Sequence, residues 1–323
     1  LLLPLAFLSS RRIAVFRDPL SLWSQTVAAA PENARAHLNL GQVLFRHGEL
    51  ARATAEFQTA VDLRPDYPEA RYNLGIALAR AGLLADAIQQ FEQAIHLAPD
   101  YAIAHNDLGA ALARMNQPAA ALAQFDRALN LRHDFLDARL NRNRVLVQLG
   151  RAAEAVASYQ EILPHHTRSA EAHLGLGDAL AATGQSHAAI AELQLAVKLD
   201  PHLTPAQVNL ATAFMATGQP AAAIPHYEQA LADQPASAPL HAALAGALMR
   251  VGRPGAAIEH YRAALQFGPE SPELRVAFAL SLAAAGKLPE AVEQCETAVR
   301  LRPDFAPAQR LLEEMRTDLG ATR

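Results

Sequence analysis

The chain reads as an all-α protein, an α-solenoid of about eight helical hairpins flanked by a leading helix and a capping helix. Three observations predict this. Alanine recurs at a fixed step of 34 residues, at Ala53, Ala87, Ala121, Ala155, Ala189, Ala223, Ala257 and Ala291. In the same frame a turn residue recurs at Gly48, Gly82, Asn116, Gly150, Gly184, Gly218, Gly252 and Gly286. Apolar residues at positions 7 and 11 of each window, such as Leu40 and Leu44 or Leu74 and Leu78, fall on one helical face. A single globular core does not repeat one small residue at a constant step, so the unit is a stacked hairpin.

The elements follow in order. Residues 1–17 begin with an apolar stretch, Leu1 to Leu8, broken by Pro4 and followed by Arg11, Arg12 and Arg17. Eight residues of helix rise about 12 Å against a hydrocarbon core of roughly 30 Å, so this stretch reads as the end of a membrane span that begins earlier. A processed signal or an apolar stub is the alternative. Residues 18–33 read as an unpaired leading helix, with Trp23 standing 34 residues before Phe57.

Eight windows then run 34–67, 68–101, 102–135, 136–169, 170–203, 204–237, 238–271 and 272–305. In each first helix a large apolar residue is followed by a small one, as in Leu40–Gly41 and Leu244–Ala245, except in window 4, which has Arg142 and Asn143. The Gly or Asn ends that helix in the left-handed conformation. The second helix carries the recurring alanine and then a bulky residue: Phe57, Phe91, Phe125, Tyr159, Leu193, Tyr227, Tyr261 or Cys295. Small residues facing large ones let two helices pack at about 8–10 Å. Pro65, Pro99, Pro201, Pro235, Pro269 and Pro303 stop the second helix before the next window begins. Pro164 comes early, so helix two of window 4 should end about a turn short and divide the array near windows 4 and 5. Residues 306–323 read as a capping helix, with Leu311, Leu312 and Met315 on one side and charged residues on the others.

This order of small, large, aromatic and proline positions resembles the tetratricopeptide repeat, matched from Ala34 to Phe305. The resemblance implies a right-handed α-solenoid whose first helices line the concave side of the superhelix, through positions 2, 5, 6, 9, 12 and 13. A second resemblance concerns residues 16–41, FRDPLSLWSQTVAAAPENARAHLNLG. They are similar to the junction in membrane proteins that join a glycosyltransferase-like transmembrane half to a repeat array. That likeness implies an extracytoplasmic, membrane-anchored array, with a soluble cytoplasmic protein as the alternative. No catalytic residue can be carried over, because that family's acidic loops lie in the membrane half.

Composition narrows the function. With 28 basic against 32 acidic residues and no charge block, the chain has no electrostatic footprint for nucleic acid. The single Cys295 sits at a bulky core position and reads as a buried hydrophobe. Of the thirteen histidines, His37, His105, His173 and His241 recur every 68 residues. Alternate hairpins lie at least about 16 Å apart, so these four cannot share one metal; they read as polar seam residues, a place taken by Arg71, Arg139, Gln207 and Arg275 in between. No nucleophile, base and orienter set is visible. We therefore expect no enzyme activity, no cofactor and no metal site.

The binding face should carry the specificity. Position 6 supplies Asn39, Asn73, Asp107, Asn141 and Asn209, a ladder of mostly amide groups that could hold the backbone of an extended peptide. It resembles the asparagine ladder of O-GlcNAc transferase superhelices, although Gly175, Ala243 and Ala277 interrupt it here. Arg46, Arg80, Arg114 and Arg250 at position 13 and Arg144 at position 9 favour a polar, partly acidic partner on the N-terminal half, unless these residues only solvate the helix face. Toward the C-terminal half the face turns apolar, with Met215 and Met249 among Val208, Ala242, Gly246, Val276, Ala277 and Leu280. Such a surface suits a helix-binding groove, or packing against a second copy. Leu38 and Gln42 stand where chaperone-binding repeats place a carboxylate clamp, which excludes that specificity. Two classes remain: a protein- or peptide-binding scaffold, and the partner-presenting module of a larger membrane glycosyltransferase-like protein.

Overall fold

A computed structural model describes residues 18–321, and the expected apolar segment 1–17 lies outside them. The described residues form eighteen α-helices and one short 3-10 helix. The leading helix is α1 (Pro19–Ala29). The first helices of the eight windows are α2 (Ala34–Arg46), α4 (Pro68–Arg80), α6 (Ala102–Arg114), α8 (Leu136–Gln148), α10 (Ala170–Ala182), α12 (Thr204–Ala216), α14 (Ala238–Arg250) and α16 (Pro272–Ala284). The second helices are α3 (Leu50–Leu63), α5 (Leu84–Leu97), α7 (Pro118–Leu131), α9 (Ala152–Ile162), α11 (Ser186–Leu199), α13 (Pro220–Asp233), α15 (Pro254–Phe267) and α17 (Leu288–Leu301). The capping helix is α18 (Ala306–Ala321). The fold is the expected all-α solenoid type.

The chain divides into two compact units, one ending at Arg151 and the other beginning at Ala152. Window 4 thus contributes its first helix to unit 1 and its second to unit 2. In unit 1, α1 to α8 pack as successive neighbours, and in unit 2, α9 to α18 do the same. The division falls one helix before the place expected from Pro164. Pro164 acts locally instead: α9 stops at Ile162, with 11 residues against 14 in α7 and α11, and Leu163–His165 continues as a 3-10 turn. Helix α9 still packs on α10.

The columns read from the sequence have the expected physical roles. All eight turn residues are left-handed, including Asn116 at φ 57°. After α2 the amide of Glu49 donates to Leu44 O at 3.0 Å, closing the wide helix-ending ring that Gly48 permits. Every recurring alanine is fully buried. The glycine after the large apolar residue makes room for a ring: a Cβ on Gly41 would stand 2.6 Å from Phe57, and one on Gly75 2.6 Å from Phe91. Asn143, at the same position in α8, is fully buried with neither Oδ1 nor Nδ2 hydrogen-bonded.

The ends are closed as the pattern predicts. Asp18 caps α1 by accepting the Leu20 and Ser21 amides, each at 3.1 Å, and Leu20, Trp23 and Val27 pack on the first hairpin's core. At the other end Leu312 and Met315 of α18 are buried, Met315 Sδ lying 3.8 Å from Cys295 Sγ. Burial raises the Cys295 thiol to about 11, consistent with a core residue. Among the described residues no helix is long and apolar enough to cross a membrane.

Candidate functional site

The face carried by the first helices is polar in unit 1, and much of its polarity is internally bonded. Arg144 Nη1 donates to Asn141 Oδ1 at 3.2 Å, and Asn141 Nδ2 donates to Asn106 Oδ1 at 3.1 Å. Asn106 Nδ2 in turn donates to Asp107 Oδ1 at 2.9 Å, while Tyr72 Oη donates to Asp107 Oδ2 at 2.8 Å. Every bond in this chain points toward one carboxylate. Burial raises the Asp107 carboxyl above its ordinary range, with the Tyr72 and Asn106 hydrogen bonds opposing. Burial and the Asp107 charge push the Tyr72 phenol up.

The expected ladder is thus only partly a row of waiting amides. Asp107 and Asn141 are held by neighbours, and Asn73 Nδ2 donates to the Glu69 carbonyl of its own helix at 2.6 Å. Asn39 is half-buried and has no hydrogen bond to another described residue. The step of 34 residues aligns position 6 with position 6, but the bonds between helices span 35 residues, position 5 to position 6. Tyr72 and Asn106, which the sequence reading passed over, complete the network. Asn106 could have been noticed as a polar residue in a column otherwise filled by Leu38, Tyr72, Leu140, Leu174 and Val208.

Arg46, Arg80, Arg114 and Arg144 are all exposed. Arg80 lies over the Phe45 ring at 5.0 Å, and Arg114 Nη1 donates to Ala79 O at 3.3 Å. None of the four has a carboxylate partner among the described residues. Three of them, Arg46, Arg80 and Arg114, stand at the C-terminal ends of α2, α4 and α6, where the helix dipole favours a cation.

Unit 2 presents a different face. Met215, Met249, Val208, Val276 and Ala277 are half-buried, and Leu280 is 45% exposed. A Cβ on Gly246 would meet nothing within 4 Å, so this face is open there. Gly175, where the ladder first breaks, has the opposite cause: a Cβ would stand 2.1 Å from the Tyr159 hydroxyl. Asn209 Nδ2 donates to Asp178 Oδ1 at 2.6 Å. These two residues line a cavity of about 320 Å³ together with Ser186, Leu193, Thr212 and Ala213.

The recurring histidines form a structural seam. His37, His105, His173 and His241 each place Nε2 2.9–3.3 Å from the carbonyl six residues earlier, at Pro31, Pro99, Thr167 and Pro235. Arg71, Arg139 and Gln207 bond the equivalent carbonyls. The Nδ1 atoms reach across the hairpin to Glu56, Gln124, Glu192 and His260. Each side chain therefore ties the turn before a hairpin to that hairpin's second helix. Among the described residues no three His, Cys, Asp or Glu groups gather in a metal-binding arrangement.

Similarity to known proteins agrees with this architecture. No curated protein matches the chain. A tetratricopeptide repeat protein from Parabacteroides merdae ATCC 43184 is similar in structure, with a TM-score of 0.63 at 16% identity, covering 77% of this chain and 98% of that one. A chain of the APC/C hetero-tetramer Cut9–Hcn1 gives a TM-score of 0.62 at 16% identity over 90% of this chain and 57% of that one. Pseudomonas aeruginosa PilF gives 0.58 at 19% identity, over 66% and 97%. These likenesses show the fold. Models of the tetratricopeptide repeat match residues 16–68, 45–102, 72–134, 106–166, 140–203, 208–272 and 248–315. The first match takes in the run 16–41, and no comparison supports a glycosyltransferase-like membrane junction there. Hairpin by hairpin, from the leading helix to the cap, the chain belongs to the tetratricopeptide repeat family.

Proposed function

We propose that this interaction scaffold is non-catalytic and holds a polypeptide segment along its first-helix face. The observation that carries the reading is the open apolar surface of unit 2, where Met215, Met249 and Leu280 remain accessible beside Gly246. Methionine adapts its shape at little cost, so such a surface suits the apolar side of a helix or an extended segment. In unit 1 the exposed Arg46, Arg80, Arg114 and Arg144 favour acidic residues on the bound segment. The amides of Asn39, Asn73, Asn141 and Asn209 supply backbone contacts where their own bonds leave an oxygen or a proton available. Attachment to a membrane through residues 1–17 belongs to the proposal and rests on Leu1 to Leu8, Arg11 and Arg12 alone.

The test is selection of peptides by display against the whole chain, followed by affinity measurements on variants. Met215→Gln with Met249→Gln should weaken selected peptides by at least about thirtyfold, because two apolar contacts of about 1–3 kcal/mol each sum to about 2–6 kcal/mol. Arg80→Glu with Arg114→Glu should weaken acidic peptides and steepen no salt dependence. Selected peptides that bind all variants alike would overturn the reading.

A further inference from the structure

We infer that the column Arg46, Arg80 and Arg114 of unit 1 reads a segment in polyproline II conformation that carries an acidic residue at every third position. The inference rests on the peptide-binding reading above and deepens it, because it specifies the spacing and the backbone form of what unit 1 holds.

The three arginines stand at position 13 of windows 1 to 3, and Gln148 ends the column in window 4. All three are exposed, yet their guanidinium groups are aimed. Arg80 lies over the Phe45 ring at 5.0 Å and Arg114 Nη1 donates to Ala79 O at 3.3 Å, so each leans on position 12 of the preceding first helix. Arg250 of unit 2 does the same, with Nη1 donating to Met215 O at 3.1 Å. Arg46 has no such first helix before it and donates from Nε to Gln42 O of its own helix at 3.4 Å. A guanidinium has five N–H donors, and these contacts use at most one of them. Each group is therefore held in place with a fork still open to a carboxylate.

The chain's own acids on these helices do not compete. Helix α2 carries none, and α4 carries Glu69 at position 2. Eleven residues of helix separate position 2 from position 13, a rise of about 16 Å, which is about twice the screening length at physiological salt. Asp107 of α6 is nearer, but its two oxygens accept from Asn106 and Tyr72.

Spacing then selects the ligand. Helix α2 touches α4 and α4 touches α6, and packed helices lie about 8–10 Å apart, so successive guanidinium groups share that step. Polyproline II has three residues per turn at about 3.1 Å each, so every third side chain returns to the same side after about 9.3 Å. An α-helix returns to one face after about seven residues and about 10.5 Å, which overshoots the step, and the error doubles by the third arginine. Glutamate or aspartate at i, i+3 and i+6 of an extended segment meets all three forks.

The experiment titrates the whole chain with peptides blocked at both ends. The periodic peptide is three Glu-Pro-Pro units in tandem, and its isomer has the same residues with the three glutamates adjacent. The periodic peptide should bind saturably, the isomer about tenfold or more weakly, and the Gln-Pro-Pro counterpart not at all. Arg80→Gln with Arg114→Gln should lower the periodic peptide to the level of its isomer at an unchanged far-UV circular dichroism spectrum. If that variant fails to fold, the three peptides on the unaltered chain decide the matter. Equal binding of the isomer, of a helical peptide with glutamate at every seventh residue, or of a short oligothymidylate would overturn the inference, since any of these would mark a general anion surface. Display-selected peptides separate it from the broader reading. Peptides that depend on Met215 and Met249 but ignore both arginine substitutions would overturn the acidic register and leave the groove, whereas binding of the periodic peptide with no displayed peptide dependent on those methionines would support the register and overturn the observation that carries the groove.

Discussion

Units 1 and 2 are made from the same hairpin, yet they treat their inner polar positions differently. In unit 1 the first-helix face is tied together by a directed chain from Arg144 through Asn141 and Asn106 to Asp107 and Tyr72. In unit 2 the corresponding columns hold Val208, Met215, Met249 and Leu280, and the one amide left in them, Asn209, turns to Asp178. The same contrast extends below the surface. Unit 1 fills its hairpins with Gly–Phe pairs, whereas unit 2 mixes Ala–Tyr, Gly177–Leu193 and a final Ala279–Cys295. A repeat frame specifies where helices meet, and it leaves to each unit how tightly they fill and what they show to solvent.

Core truncation should separate the units most strongly. Phe91→Ala removes a ring that is 1% exposed and should cost about 3–5 kcal/mol in urea unfolding. Leu193→Ala, beside an existing cavity, should fall near the low end of the roughly 2–5 kcal/mol range for leucine. Equal costs would mean that unit 2 is packed as densely as unit 1.

The alanine column should be equally intolerant in both units. Ala87→Leu and Ala189→Leu insert three heavy atoms at fully buried positions and should each destabilise by about 1–3 kcal/mol. An unchanged thermal midpoint for either would remove that alanine from the helix contact.

At the end of unit 1, Asn143→Ala should stabilise by about 1–3 kcal/mol, because it deletes two buried polar atoms that bond to nothing. Hydrogen exchange in α8 reads the effect locally, and slower exchange is expected. Faster exchange would show that the amide contributes to the fold.

The smallest expected effect is a difference in acid response. Burial holds His226 below its ordinary imidazole range, and His260 is lowered first by burial and then by His241. Nδ1 of His260 lies 3.0 Å from Nδ1 of His241, so the two rings face each other closely. Below 6.5 the unfolded chain binds more protons at His226 and His260 than the folded one. Their stabilisation is therefore full above that pH and is lost as pH falls. Asp107 has the opposite sign: its raised carboxyl is destabilising when ionised, and that cost is relieved as pH falls toward 3.8. Hydrogen exchange at about pH 7.5 and about pH 5.5 should show unit 2 loosening more than unit 1 around α13 and α15, and His260→Asn should reduce the difference.

Much of this is legible in the sequence. The alanine column, the left-handed turn at Gly48 and its equivalents, the leading helix around Trp23 and the cap through Met315 follow from side-chain size, backbone permission and periodicity, which act within a few residues. Pro164 was legible as a local event, since it shortens α9, but its expected division of the array was not: the boundary lies at Arg151. The binding face was legible as a set of columns only. A column at a step of 34 residues cannot reveal that Asn141 bonds Asn106 across a step of 35, nor that Gly175 leaves no room for a side chain beneath Tyr159.

Periodicity, glycine, proline and the recurring alanine were enough to dictate the hairpin, its number and its family, because each is a short-range steric or conformational requirement repeated along the chain. Which amides are committed to neighbours and how Asp178 comes to face Asn209 were decided in three dimensions. Those outcomes depend on the offset between adjacent helices and on the volume difference between facing side chains, and neither quantity belongs to any one residue.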